Sequence, residues 1–166
     1  MPAADAIKRI SSKYPEMLIS AGTVINPQLA EKAINAGAKF IVSPGFNLET
    51  VNWCLDRNVP VIPGVATPSE IEKALALGLT VLKFFPAESS GGVKMLKDLN
   101  GPFPLVKFIV TGGIKIDNLI EYAKEANVLA IGGSWMVKAD LIASLSLNIK
   151  AFGLLSKGPL YYRRYG

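Results

Sequence analysis

Short apolar runs alternate with amphipathic stretches along this chain. Residues 1–13 put Ala3, Ile7 and Ile10 on one face of a helical wheel and leave Lys8, Arg9 and Lys13 to water, which predicts an opening helix. An apolar run over 17–21 predicts a strand closed by Gly22-Thr23. Asn26-Pro27 then has the chemistry of a helix start, a capping side chain followed by proline at the first helical position. Leu29, Ala30, Ala33 and Ile34 supply its buried stripe, and Gly37 ends it. The alternation continues with strands over 40–45, 59–65, 107–110 and 128–131, and one starting at 81. Between them lie helices capped by Asn47, by the capping-box sequence Thr67-Pro68-Ser69-Glu70 and by Asp117, with a short helix over 91–99.

Strand starts near 18, 40, 60, 81, 107 and 128 recur at roughly the spacing of a βα unit in a barrel. Nearly continuous apolar strands between helices imply a parallel sheet covered on both faces, so the fold class is α/β. A (β/α) barrel and a doubly wound sheet fit that pattern equally. In either, the C-terminal strand ends face the ligand. Here those ends carry Gly22-Thr23, Ser43-Pro44-Gly45, Pro63-Gly64, Pro86-Ala87-Glu88, Thr111-Gly112-Gly113 and Gly132-Gly133-Ser134. Two consecutive ends with paired glycines and a hydroxyl offer bare N–H groups, and a phosphate placed there would meet the dipole of the following helix. A single Gly-Gly reads as a turn, whereas two in succession favour a phosphate site.

Within the run Val81-Leu82-Lys83-Phe84-Phe85-Pro86, a lysine interrupts a strand that is otherwise apolar and aromatic. One reading is a lysine whose stem lies on apolar surface with its head in water. The other is a desolvated amine with a lowered pKa, nucleophilic towards carbonyls. Strand alternation favours the second. If Leu82 and Phe84 face the helices, Lys83 and Phe85 face the barrel interior. Thr23, Pro44 and Thr111 would then ring the amine, and with a phosphate pocket this suggests a phosphorylated carbonyl substrate.

Composition narrows the chemistry further. At 166 residues, 50% hydrophobic and 19% charged, the chain is most simply one globular domain. The absence of histidine removes the commonest general base and metal ligand. A single cysteine, Cys54, rules out a disulfide framework or thiolate cluster and suits a reducing cytoplasm. A net charge of +5 is scattered over predicted helices, so no nucleic-acid partner is expected, and the basic, tyrosine-rich segment 157–165 reads as a disordered terminus. Neither a membrane span nor a signal-peptide core is visible, so no membrane partner is expected.

The motifs Ala21-Gly-Thr-Val24, Ser43-Pro-Gly45, Pro63-Gly-Val65, Lys83-Phe-Phe-Pro-Ala-Glu88, Gly91-Gly-Val-Lys94, Gly101-Pro-Phe103, Thr111-Gly-Gly113 and Gly132-Gly-Ser-Trp135 together resemble the 2-dehydro-3-deoxyphosphogluconate (KDPG) aldolases. The bifunctional members of that family also act on 4-hydroxy-2-oxoglutarate. The resemblance implies a TIM (β/α)8 barrel, usually a homotrimer, and class I aldol cleavage with no metal or other cofactor. By resemblance Lys83 forms the imine with the pyruvate moiety, Thr23, Pro44 and Phe85 line the pyruvate end with Thr111 close by, and Gly112, Gly113, Gly133 and Ser134 hold the phosphate. The substrate partner is a small phosphorylated 2-keto acid.

The family has two further βα units ahead of the point matching Met1, carrying a glutamate acid/base and a substrate-binding arginine without counterparts here. The expectation is therefore an N-terminally incomplete barrel with about six of eight βα units over residues 1–144. A C-terminal helix and basic tail are expected over 145–166, where the resemblance fades. Glu88 is the nearest local proton-transfer candidate, and its position in a loop makes it a poor one. Beside the aldolase reading stand a self-associating barrel fragment and a phosphate-binding protein in which Lys83 is only a charge.

Overall fold

A computed structural model describes residues 2–134. Trp135 and the predicted 145–166 helix and tail lie outside the described residues. The chain divides after Phe85 into two compact units.

The first unit runs α1 (Pro2–Lys13), β1 (Ser20–Ala21), α2 (Pro27–Asn35), β2 (Phe40–Val42), α3 (Leu48–Asp56), β3 (Val61–Ile62), β4 (Gly64–Val65), α4 (Pro68–Ala76) and β5 (Val81–Phe84). β1 pairs with β2, β2 with β3, and β4 with β5, all in parallel. The helix starts form as the sequence predicts because each is a local contact. Asn26 Oδ1 accepts the Leu29 N–H at 2.9 Å, and Asn47 Oδ1 accepts the Thr50 N–H at 2.8 Å. Glu70 accepts from the N–H groups of Ala66 and Thr67, each at 2.9 Å. Ala21, Ala30, Ala33, Ile41, Val51, Cys54 and Val61 form the core between sheet and helices.

Two predicted strands come out differently. The first was expected over 17–21, but the Met17 N–H turns back to the Tyr14 carbonyl at 3.0 Å. Sheet contact starts only where Lys39 donates to Ile19 at 2.7 Å. Met17 and Leu18 are left exposed. The third, expected over 59–65, breaks at Pro63, which has no N–H to give a ladder. Before the break the Ile62 carbonyl accepts from Ser43 at 3.2 Å; after it the Pro63 carbonyl accepts from Lys83 at 2.9 Å. The proline is where the chain passes from one neighbouring strand to the other.

The second unit holds a 3₁₀ turn (Glu88–Ser90), α5 (Gly92–Asn100), β6 (Lys107–Thr111), α6 (Leu119–Ala123) and β7 (Val128–Gly132). β6 and β7 pair in parallel from Phe108↔Val128 to Thr111↔Gly132, with a register shift between Phe108 and Ile109. Leu96, Leu99, Val106, Phe108, Val110 and Tyr122 are fully buried. Asn127, also buried, donates to the Leu96 carbonyl at 2.8 Å. Asp117 does not cap the following helix: it is exposed, and Asn118 takes the cap position. α6 starts well past Gly113 and has 5 residues, so the helix dipole expected to meet a phosphate at Gly112-Gly113 is not there. Among the described residues no helix is long and apolar enough to cross a membrane.

Candidate active site

In the first unit the site is built on strand alternation. Ile41, Val61, Leu82 and Phe84 are buried, whereas their strand neighbours Phe40, Val42, Ile62, Val81 and Lys83 are half-buried. Lys83 thus lies on the face that the helices leave open. Its Nζ lies 4.6 Å from the centre of the Phe85 ring, which shares that face. Burial lowers the Lys83 pKa from the usual lysine value, as the sequence reading expects. The ring face attracts an ammonium, but the net direction is towards the neutral amine.

Lys83 stands in register with Gly64, and Gly64 lies against the Pro44 carbonyl. A Cβ at Gly64 would come within 2.1 Å of that oxygen. Only glycine lets the two chains approach so closely, and that approach carries Pro44 to one strand away from the lysine. Thr23, two residues past β1, has a φ of 57°, a left-handed conformation costly for a β-branched residue. It faces a cleft of about 130 Å³ lined by Ala3, Ala21, Val24, Leu29 and Ala33. Lys83, Pro44 and Phe85 are not among the residues lining this cleft.

In the second unit Thr111, Gly112 and Gly113 form one turn, with φ of 98° and 84° at the glycines. Thr111 pairs in register with Gly132, so Gly133 and Ser134 continue from its immediate neighbour. Among the described residues the buried Thr111 hydroxyl oxygen has no hydrogen-bond partner. Among the described residues the Gly112 and Gly113 N–H groups also find no acceptor. Glu88, the local proton-transfer candidate, is engaged elsewhere: the Tyr122 hydroxyl donates to its Oε1, and its own N–H donates to the Gly112 carbonyl at 3.1 Å. Burial first, then the hydrogen bond and charge of Glu88, push the Tyr122 pKa above its usual value, so the phenol stays protonated. Among the described residues no group of three or more Cys, Asp or Glu converges to hold a metal ion.

Three residues of interest escaped the sequence reading. Gly64 was visible only as strand-end punctuation. Tyr122 lies within a predicted helix and carries no sequence signal of its own. Ser43 was visible in Ser43-Pro44-Gly45, but not that its hydroxyl is buried without a partner.

The profile of the family described as KDPG and KHG aldolase matches residues 1–150. The chain is 50% identical over 142 residues to the 2-dehydro-3-deoxy-phosphogluconate aldolase of Treponema pallidum, covering 86% of this chain and 68% of that protein. It is 44% identical over 140 residues to the KHG/KDPG aldolase of Escherichia coli, covering 84% and 66%. A crystal structure of KDPG aldolase from Legionella pneumophila, with pyruvate captured as a covalent carbinolamine intermediate, matches with a TM-score of 0.82 at 42% identity, over 85% of this chain and 68% of that one. The chain therefore spans about two thirds of the length of these relatives. The fold class left open by strand spacing is α/β of the TIM-barrel type rather than a doubly wound sheet. On this evidence the chain belongs to the KDPG and KHG aldolase family.

Proposed function

We propose that the protein is a class I aldolase cleaving 2-dehydro-3-deoxy-6-phosphogluconate to pyruvate and glyceraldehyde 3-phosphate. The same chemistry extends to 4-hydroxy-2-oxoglutarate, which yields pyruvate and glyoxylate. The observation that carries the proposal is the Lys83 amine, half-buried on an open strand face against Phe85, with its pKa lowered by burial. Such an amine is unprotonated more of the time and adds to a keto carbonyl.

Addition of Nζ to the C2 carbonyl and loss of water give a protonated imine. The electron pair of the C3–C4 bond then moves into that imine while the C4 hydroxyl loses its proton, and the aldehyde fragment departs. The remaining enamine takes a proton at C3, and water releases pyruvate and the free lysine. No metal is needed, because the imine nitrogen is the electron sink. Lys83 is the residue we assign to covalent catalysis, with Thr23, Pro44, Phe85 and Thr111 contacting substrate. We assign the phosphoryl group to Gly112, Gly113, Gly133 and Ser134. N–H groups at the two glycines and a Thr111 hydroxyl without partners among the described residues support that assignment. Glu88 is not assigned the C4 proton; its Oε1 is held by the Tyr122 hydroxyl. We place the activity in a cytoplasmic homo-oligomer; the lone buried thiol and the exposed apolar side chains of Leu18 and Ile25 support that setting.

Incubation with pyruvate and borohydride should trap a covalent adduct at Lys83, located by peptide mass. A folded sample that gives no adduct refutes the proposal. Phosphate binding without an adduct would instead mark a phosphate-binding protein whose lysine is only a charge.

A further inference from the structure

The second unit makes room for a Glu–Tyr pair that the imine chemistry does not use. Tyr122 is fully buried, and its hydroxyl donates to Glu88 Oε1. Glycines leave the space for this pair. A Cβ at Gly92 would lie 3.2 Å from the Tyr122 hydroxyl, and one at Gly113 would lie 2.6 Å from Glu88 Cγ. The stem of Glu88 therefore rests directly on the second glycine of the Thr111-Gly112-Gly113 turn.

Around the same turn every carbonyl is occupied. Thr111 O accepts from the Ala87 N–H at 2.9 Å, and Gly112 O from the Glu88 N–H at 3.1 Å. Gly113 O is approached by Asn118 Nδ2 at 3.4 Å. An anion is repelled by carbonyl oxygens and held by N–H and O–H donors. Among the described residues, fixing three carbonyls on protein donors leaves the Gly112 and Gly113 N–H groups and the Thr111 hydroxyl as the free polar groups of the turn. Residues 87–88 supply two of the three donors, and the Glu88 side chain is held over Gly113 through Tyr122.

We propose that the Glu88–Tyr122 hydrogen bond is a positioning device that keeps this turn in its anion-binding form, so that the pair sets affinity for the phosphoryl group and leaves imine formation at Lys83 unchanged. The inference rests on the phosphate assignment made above. Neither residue touches the substrate; both act through the backbone of the turn.

The test compares Tyr122→Phe, Glu88→Ala and Glu88→Gln with the parent chain. Calorimetric titration with inorganic phosphate is read beside borohydride trapping of pyruvate on Lys83. Tyr122→Phe and Glu88→Ala should each weaken phosphate binding about tenfold, the loss of one part-buried, charge-assisted hydrogen bond. Glu88→Gln keeps an oxygen that accepts from Tyr122 and should stay within about twofold of the parent. Because the two side chains share one bond, the double variant Tyr122→Phe/Glu88→Ala should be no weaker than either single change. Lys83 trapping should be the same throughout. A folded Tyr122→Phe or Glu88→Ala chain that binds phosphate like the parent overturns the inference. So does a loss of trapping in step with phosphate affinity, which marks a merely structural role. A parent chain that traps pyruvate but shows no phosphate affinity overturns the underlying phosphate assignment, and this inference with it.

Discussion

Gly64→Ala is the sharpest probe of how the lysine is placed. The added Cβ would stand 2.1 Å from Pro44 O and 2.3 Å from Pro44 C, both backbone atoms that cannot swing aside. Relief to about 3.0 Å requires the two chain segments to part by close to 0.9 Å. The Ser43-to-Ile62 hydrogen bond beside the contact is already 3.2 Å long and would be lost. The Lys83-to-Pro63 bond on the other side, at 2.9 Å, would be strained. One or two backbone hydrogen bonds at about 1 kcal/mol each, plus about 1–3 kcal/mol for overpacking, set the loss. Alanine offsets up to about 1 kcal/mol by narrowing the unfolded ensemble, which leaves a net loss of about 1–4 kcal/mol. Gly64 lies outside the left-handed region, so the change tests the clash rather than the backbone conformation. Gly45→Ala is the matched control, since its Cβ would meet nothing within 4 Å. Urea unfolding should show a lowered midpoint at unchanged slope for Gly64→Ala and no loss for Gly45→Ala. Pyruvate trapping on Lys83 should fall with the first variant alone. A Gly64→Ala chain within about 0.5 kcal/mol of the parent would refute the close-approach argument.

Lys83 also gives a pH signature of stability. Its pKa is lower folded than unfolded, so unfolding takes up a proton between the folded value and the usual 10.5. Stability should therefore rise with pH through that window and level off above it. Lys83→Met should abolish the rise and be the more stable chain at neutral pH; parallel stability–pH curves would contradict this. Burial raises the Cys54 pKa to about 11, partly opposed by Arg57, so the native thiol should resist a disulfide reagent that reacts freely after unfolding. Rapid labelling of native protein would contradict its burial. Leu18 and Ile25 are 57% and 53% exposed on either side of β1, and sedimentation should find a homo-oligomer that charged substitutions there dissociate. A parent chain that sediments as a monomer would remove the oligomer from the proposal.

What the sequence made legible was local. Asn26, Asn47 and the Thr67–Glu70 box bond to residues three or four positions away, so spacing alone reveals them. The Lys83–Phe85 pairing is legible for the same reason, because alternate strand residues share a face. Features set by a neighbouring strand were not legible. The shortening of β1 depends on which residues find a partner across the sheet, and the break at Pro63 on a change of partner. Gly64 gives no local sign of the carbonyl it accommodates. The Glu88–Tyr122 bond joins residues 34 positions apart, and nothing in the apolar stripe of α6 announces a hydroxyl with a partner. Gly112-Gly113 was legible as a candidate anion site. The helix dipole expected to serve it was not, since α6 proved short and began late.

The donor types assigned to the two ends of the substrate carry a further consequence. Lys83 works as a nucleophile only when neutral, and anything that stabilises its ammonium opposes the reaction. A carboxylate close to it would do so. The carboxylate next along the sequence, Glu88, is instead engaged by a phenol that keeps its proton. The phosphoryl end is assigned to backbone N–H groups and hydroxyls, which bind an anion without titrating near neutrality. Phosphate affinity should then follow the ionisation of the ligand, whereas imine formation should follow that of Lys83 and increase towards alkaline pH. A binding site built from lysines would couple the two profiles through shared charge; neutral donors leave them independent. That independence is what would let an amine poised by burial work on a polyanionic substrate without its pKa being set by the phosphate-binding groups.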